Sequence, residues 1–228
     1  MIGQPKDYSE MLKRIFMASL IVGIICTMSL AYKSLAIKTL INLSPENWNL
    51  GYVALPIVAV AIPFFVAIIA RIITLHNLIS KIFKIRLKFD DNQILLPLAT
   101  GAGIVINQEL LAKIRDNRFE LMRDTFYKYA PNVENSIINS QFVATALDRW
   151  AWFWCFIEPT IIFLLSAIVA WWQIGFKYSL IYFGAIIVFI IVSIFIYLSC
   201  KSAAKYEVDD ILNDNDRKTK IAEAFNAL

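Results

Sequence analysis

IIFLLSAIVAWWQIGFKYSLIYFGAIIVFIIVSIFIYLSC, residues 161–200, carries a single charge, Lys177. One helix crosses a hydrocarbon layer of about 30 Å with roughly 20 apolar residues, so this stretch is long enough for two crossings. Lys177 divides the region into 159–176 and 178–200, each free of Asp, Glu, Lys and Arg. Two further stretches, 15–32 and 47–70, are equally uncharged. Lipid offers backbone groups no hydrogen bonds, and a helix satisfies them internally. The expected fold is therefore all-α and polytopic, with four transmembrane helices in two hairpins, 15–74 and 150–200. A helical module, 75–149, lies between them, flanked by an N-terminal segment, 1–14, and a tail, 201–228.

Composition agrees. Hydrophobic residues make up 59% of the chain and mean hydropathy is +0.61, above the roughly one-half apolar share of ordinary soluble domains. Of the 22 Lys and Arg, all but Lys33, Lys38 and Lys177 fall before residue 15, between Arg71 and Arg149, or from Lys201 onward. The positive-inside rule then places both termini and the central module in the cytoplasm, with 36–50 and 172–178 outside. The first apolar stretch reads as a signal-anchor helix, and the expected location is the inner membrane. The net charge of +4 is spread among acids on the same side, so no direct nucleic-acid binding is expected.

Small residues recur every four positions in the first helix: Ser19, Gly23, Thr27 and Ala31. Such a stripe lets backbones approach closely and makes a packing seam, against the second helix or a neighbouring subunit. The second helix, about Gly51–Thr74, contains Pro56 and Pro63, two expected bends seven residues apart. Arg71 can snorkel from its end. Leu75–Phe89 reads as an extension of that helix or an amphipathic surface helix. Its Lys81, Lys84, Arg86 and Lys88 suit anionic inner-leaflet lipid at about 1 kcal/mol each. His76 is the lone histidine, with no ligand-type residue at metal spacing beside it.

Asp90-Asp91-Asn92-Gln93 reads as a turn, followed by an uncharged piece, 94–106, too short to span. An amphipathic helix then runs from about Asn107 to Ala130. Pro131 ends it, and Asn132 caps a helix over 133–148. Trp150, Trp152, Trp154, Trp171 and Trp172 form interface anchors at both ends of the third span, roughly 33 Å apart as helix. The tail ends in a weakly amphipathic piece with Ile221, Ala224, Phe225 and Leu228. Its Asp210, Asp214 and Asp216 lack a calcium loop's glycine and closing glutamate, and they read as a solvated helix and turn.

Glu158 lies beside Pro159 inside that span, and it is the one acid in any apolar core. Such a carboxyl demands a partner, a cavity or a route to the headgroups. Three readings follow: a hydrogen bond to another helix with Thr27 as a candidate, a pore or proton path, or a reach toward the inner headgroups. The three cysteines, Cys26, Cys155 and Cys200, have neither metal nor redox spacing. No enzyme motif, metal site or cofactor site is present in the sequence, so a non-enzymatic chain without cofactors is expected.

The layout, two hairpins around a cytoplasmic helical module, resembles stator-type proton-channel proteins in topology alone. Their glycine-rich third helix is missing, and no residue role is carried over. Small four-helix membrane components of bacterial defence and secretion systems share the outline. The expected function is an inner-membrane subunit that self-associates, contacts lipid and binds a cytoplasmic protein or ligand through its module, as a scaffold or membrane effector. The alternative is an ion channel or small transporter with Glu158 lining a polar route.

Overall fold

The computed structural model describes residues 5, 7–41, 47–50, 53–129, 138 and 140–228. The protein is all-α in its packing. Its helices are α1 (Tyr8–Lys33), α2 (Leu35–Ile41), α3 (Ile57–Ile72), α4 (Leu75–Ile82), α5 (Ile85–Phe89), α6 (Leu96–Gly101), α7 (Gln108–Asp116), α8 (Arg118–Thr125), α9 (Ser140–Gln173), α10 (Phe176–Leu212) and α11 (Asn215–Asn226). A short antiparallel ladder pairs β1 (Asn47–Leu50) with β2 (Val53–Pro56). The chain divides into an apolar unit, Tyr8–Leu78 with Trp150–Ile196, and a charged unit, Met1–Asp7, Ile79–Arg149 and Tyr197–Leu228.

Among the described residues, three helices are long and apolar enough to cross a membrane: α1, α9 and α10. The second expected span is broken, because α3 and α4 pass the same test only together and meet at a 57° bend. Thr74 in the break has φ +49°, a left-handed conformation unusual for a β-branched residue. The span also begins later than its sequence suggests. Pro56 closes β2 opposite Asn47 and immediately precedes α3, so it bends no helix. A proline lacks the N–H that a helix interior needs, and the position before the first helical turn makes no such demand. Pro63 does lie inside α3.

In the apolar unit the small stripe of α1 meets a second small stripe on α3, made by Ala59, Pro63 and Ala67, all buried. Ala31 packs on Ala59. A Cβ placed on Gly23 would stand 2.8 Å from the Cβ of Pro63. Ser19, Gly23 and Ala31 are buried, and Thr27 is half-buried. The seam therefore serves α3. Elsewhere on α1, Cys26 and Leu30 pack with Ala167 and Ala170 of α9 and Tyr182 of α10. The Tyr182 hydroxyl donates to Ser29 Oγ at 3.0 Å. Gly23→Leu should lower the stability of this unit by about 1–3 kcal/mol, since the rigid proline ring cannot yield. The midpoint of SDS-induced unfolding measures it, and Gly23→Ala should shift it less.

The charged unit corrects two sequence expectations. The 107–130 helix is two helices broken at Asn117, whose side-chain amide donates to the Lys113 carbonyl at 3.0 Å. That bond satisfies the end of α7 and stops it. Asp90–Leu95 is no turn but a π-helical segment leading into α6. The amphipathic piece of the tail is α11, which buries Ile221 and Phe225 and packs on α6 and α8, while Asp214 and Asp216 are exposed. Leu95, Leu98, Ile114, Leu121, Met122 and Ile211 of the same unit are each under 4% exposed. Asp214 caps α11 by accepting from the Asp216 N–H at 2.7 Å, and Arg217 donates to the carbonyls of Ile211 and Asp210 at the end of α10. These bonds fit the end of α10 to the start of α11. Asn132 and most of 133–139, with the expected cap, lie outside the described residues.

Candidate functional site

Glu158 sits on α9 one turn beyond Trp154, in a helix that keeps Pro159 inside it. It is 5% exposed, and its Oε2 has no hydrogen-bond partner among the described residues. The carboxyl lines a small cavity with about 10 Å³ open to water centres, walled by Leu12, Ile15, Phe16, Ala67, Arg71 and His76. That volume admits about one water molecule. Arg71 comes from the last turn of α3, and His76 from the first turn of α4. The break after Ile72 thus brings the histidine back to a cavity that Arg71 also lines.

His76 is itself 5% exposed. Its Nε2 lies 2.9 Å from the hydroxyl of Tyr8, which is 49% exposed. The Trp154 ring meets the imidazole edge-on, with centroids 6.0 Å apart. Arg14, 7% exposed, lies 5.4 Å from the centroid of the Trp152 ring. The site therefore has one buried carboxyl, one buried imidazole and a guanidinium around space for one water, with a half-exposed phenol at its outer edge. Such a set can hold a water or exchange a proton. Among the described residues, no group of three or more His, Cys, Asp or Glu could hold a metal ion.

Several expected site residues lie elsewhere. Thr27 is no partner of Glu158. It stands eleven residues beyond Phe16, the last cavity residue of α1, or roughly 16 Å along a helix. Trp154 is not an interface anchor but is 6% exposed against His76. Trp152, Trp171 and Trp172 are exposed and Trp150 is half-buried. Lys81, Lys84, Arg86 and Lys88 are all exposed. Lys84 has φ +53° and separates α4 from α5. His76, Arg71 and Tyr8 were not legible as site residues, since no fixed spacing joins them to Glu158. Their one signal was rarity, a single histidine next to a span that ends in arginine.

The charged unit holds a second polar cluster. Asp90 and Asp91 are about 6% and 5% exposed. Asp90 pairs with Arg118 in close contact and with Arg86 at 3.8 Å, and Asp91 pairs with Arg115 at 3.6 Å. Burial pushes the Asp90 carboxyl up to about 6, against the opposing pull of Arg86 and Arg118. Asp91 is raised for the same reason, against Arg115. The acids the sequence assigned to a turn are buried because the π-helical segment carries them under α8.

The chain was compared with known families, curated proteins and solved structures. No solved structure matches. A curated relative, "Uncharacterized protein YmfE" of Escherichia coli (strain K12), is 25% identical over 242 residues, covering 99% of this chain and 96% of the relative. The YmfE protein family profile matches residues 7–227, a span that takes in both units and every residue of the Glu158 site, and the chain belongs to that family.

Proposed function

We propose that the protein is a non-enzymatic integral inner-membrane subunit that self-associates and binds a soluble partner through its charged unit. In this reading it has four transmembrane helices, with α3 and α4 as a broken second span. Both termini and the charged unit are cytoplasmic. The observation that carries it is the small size of the polar site. Glu158, Arg71 and His76 line room for about one water, beside apolar side chains of α1 and α3. A conducting route needs a continuous wet path, whereas a polar cluster this small suits holding helices against one another.

The exposed surfaces support the rest. Ile181, Val188, Ile191 and Phe195 of α10 are 48–68% exposed, suited to lipid or to another copy. The charged unit exposes Phe119 at 75%, with the Arg118 guanidinium 4.4 Å from its ring centroid. An exposed aromatic paired with arginine is the side-chain chemistry of protein interfaces. Ile82 and Phe83 stand exposed among Lys81, Lys84 and Lys88, a composition suited to anionic lipid.

The intact mass of the detergent-solubilised complex tests the proposal. Two or more copies of the 26.0 kDa chain are expected, with a soluble protein retained by wild type and released by Phe119→Asp. A single-copy mass rules out self-association. A second reading, a channel or small transporter, is favoured by the unpartnered Oε2 of Glu158. It requires Glu158→Gln to change ion flux in liposomes while the assembly mass stays the same.

A further inference from the structure

We propose that Glu158 is a proton-loading site, reached through Tyr8, His76 and a single water. The inference does not depend on the assembly reading, and its test uses a different measurement. It rests on a continuous arrangement of groups that hold or pass protons. Tyr8 is half exposed and meets solvent. Its hydroxyl is 2.9 Å from His76 Nε2, within hydrogen-bond reach. Nε2 is thereby engaged, which leaves Nδ1 as the ring's other proton-carrying atom, and His76 lines the cavity. Glu158 lines that same cavity with an unpartnered carboxyl oxygen. A buried acceptor with no partner is costly, and one water with two or more polar neighbours is the usual remedy.

The charged and titratable groups around the site come from four helices. Tyr8 and Arg14 lie on α1, Arg71 on α3, His76 on α4 and Glu158 on α9. Arg14 is engaged with Trp152. Arg71 lines the cavity beside Glu158. Loading then proceeds in balanced steps. The Tyr8 hydroxyl gives its proton to Nε2 and regains one from solvent. The resulting imidazolium releases its Nδ1 proton to the water, which passes one on to the Glu158 carboxylate. One proton has moved inward from solvent, and the imidazole is left as the other tautomer.

The second half of the cycle explains why the ring can be so tightly held. A one-directional relay must reset its histidine by turning the ring, and the packed Trp154 opposes that. A storage site unloads by the reverse steps, which restore the starting tautomer with the ring still. The fixed imidazole therefore suits storage and sensing of protons, not their conduction. Proton uptake here would alter the charge at the point where α1, α3, α4 and α9 meet.

Infrared spectroscopy of the full chain in lipid nanodiscs tests this. A carboxylic C=O band that changes with pH and is absent in Glu158→Gln is expected. In D2O that band should shift in wild type, and the shift should be slower by roughly tenfold or more in His76→Leu, the loss expected of a positioned proton-transfer group. Tyr8→Phe removes one hydroxyl from a half-exposed residue and should also slow exchange, which covers the case in which the histidine variant does not fold. Equal exchange rates in wild type and Tyr8→Phe, or a Glu158 band that ignores pH, overturns the proposal.

Discussion

Phe225→Ala should destabilise the charged unit by about 3–5 kcal/mol, the range for truncating a fully buried aromatic side chain. Phe225 is 1% exposed near the end of α11, and Ile221 one turn earlier is also 1% exposed. α11 packs on α6 and α8, so truncation leaves a void among these helices. Amide hydrogen exchange checks the result. A loss of about 3 kcal/mol means roughly hundredfold faster exchange for protected amides of the unit. An unchanged rate at Leu98 and Ala99 would show that α11 contributes nothing to this core.

Arg118→Ala should be nearly as damaging, and its effect should depend on pH. Arg118 and Asp90 are 12% and 8% exposed at their side chains. Removing one partner leaves a buried charge uncompensated, at about 3–5 kcal/mol. The folded-state value for Asp90, about 6, lies above the ordinary 3.8. The folded protein thus binds the proton more tightly than the unfolded chain. The contribution of this group is most favourable at low pH and declines as pH rises toward about 6, with no further change above. Without Arg118 the folded value rises further, so the decline continues into the neutral range. The variant should therefore lose most relative to wild type at mildly alkaline pH and recover much of the difference near pH 5. Exchange protection at the two pH values, corrected for intrinsic rates, measures it. A pH-independent loss would mean that Asp90 does not titrate against Arg118.

Much of the architecture was written locally. The uncharged stretches needed no partner to be read, because a helix hides its own backbone groups and lipid tolerates its side chains. The four-residue stripe on α1 was legible for the same reason, since periodicity is a property of one helix. What the stripe faced was not, and the matching Ala59, Pro63 and Ala67 stripe on α3 went unread. The breaks were harder still. Thr74 and Lys84 take left-handed backbones, a conformation their residue types do not advertise, and the first of them turns the chain so that His76 comes to Glu158. Trp154 looked like an interface anchor by its place in the series, yet packing against the imidazole made it core.

The sequence by itself determined which segments are apolar enough to cross a membrane and that Glu158 needs an explanation within one of them, because transfer from water depends on each residue and its near neighbours. Tertiary structure alone decided what surrounds that carboxyl. Arg71, His76 and Tyr8 lie 82 to 150 residues away, and a meeting over that distance is set by how helices pack and bend, not by any local pattern. The same holds for Asp90, which looks solvent-facing beside its polar neighbours, and for Phe225, whose stretch reads as only weakly amphipathic: each is buried in a unit built from elements that arrive from elsewhere in the chain.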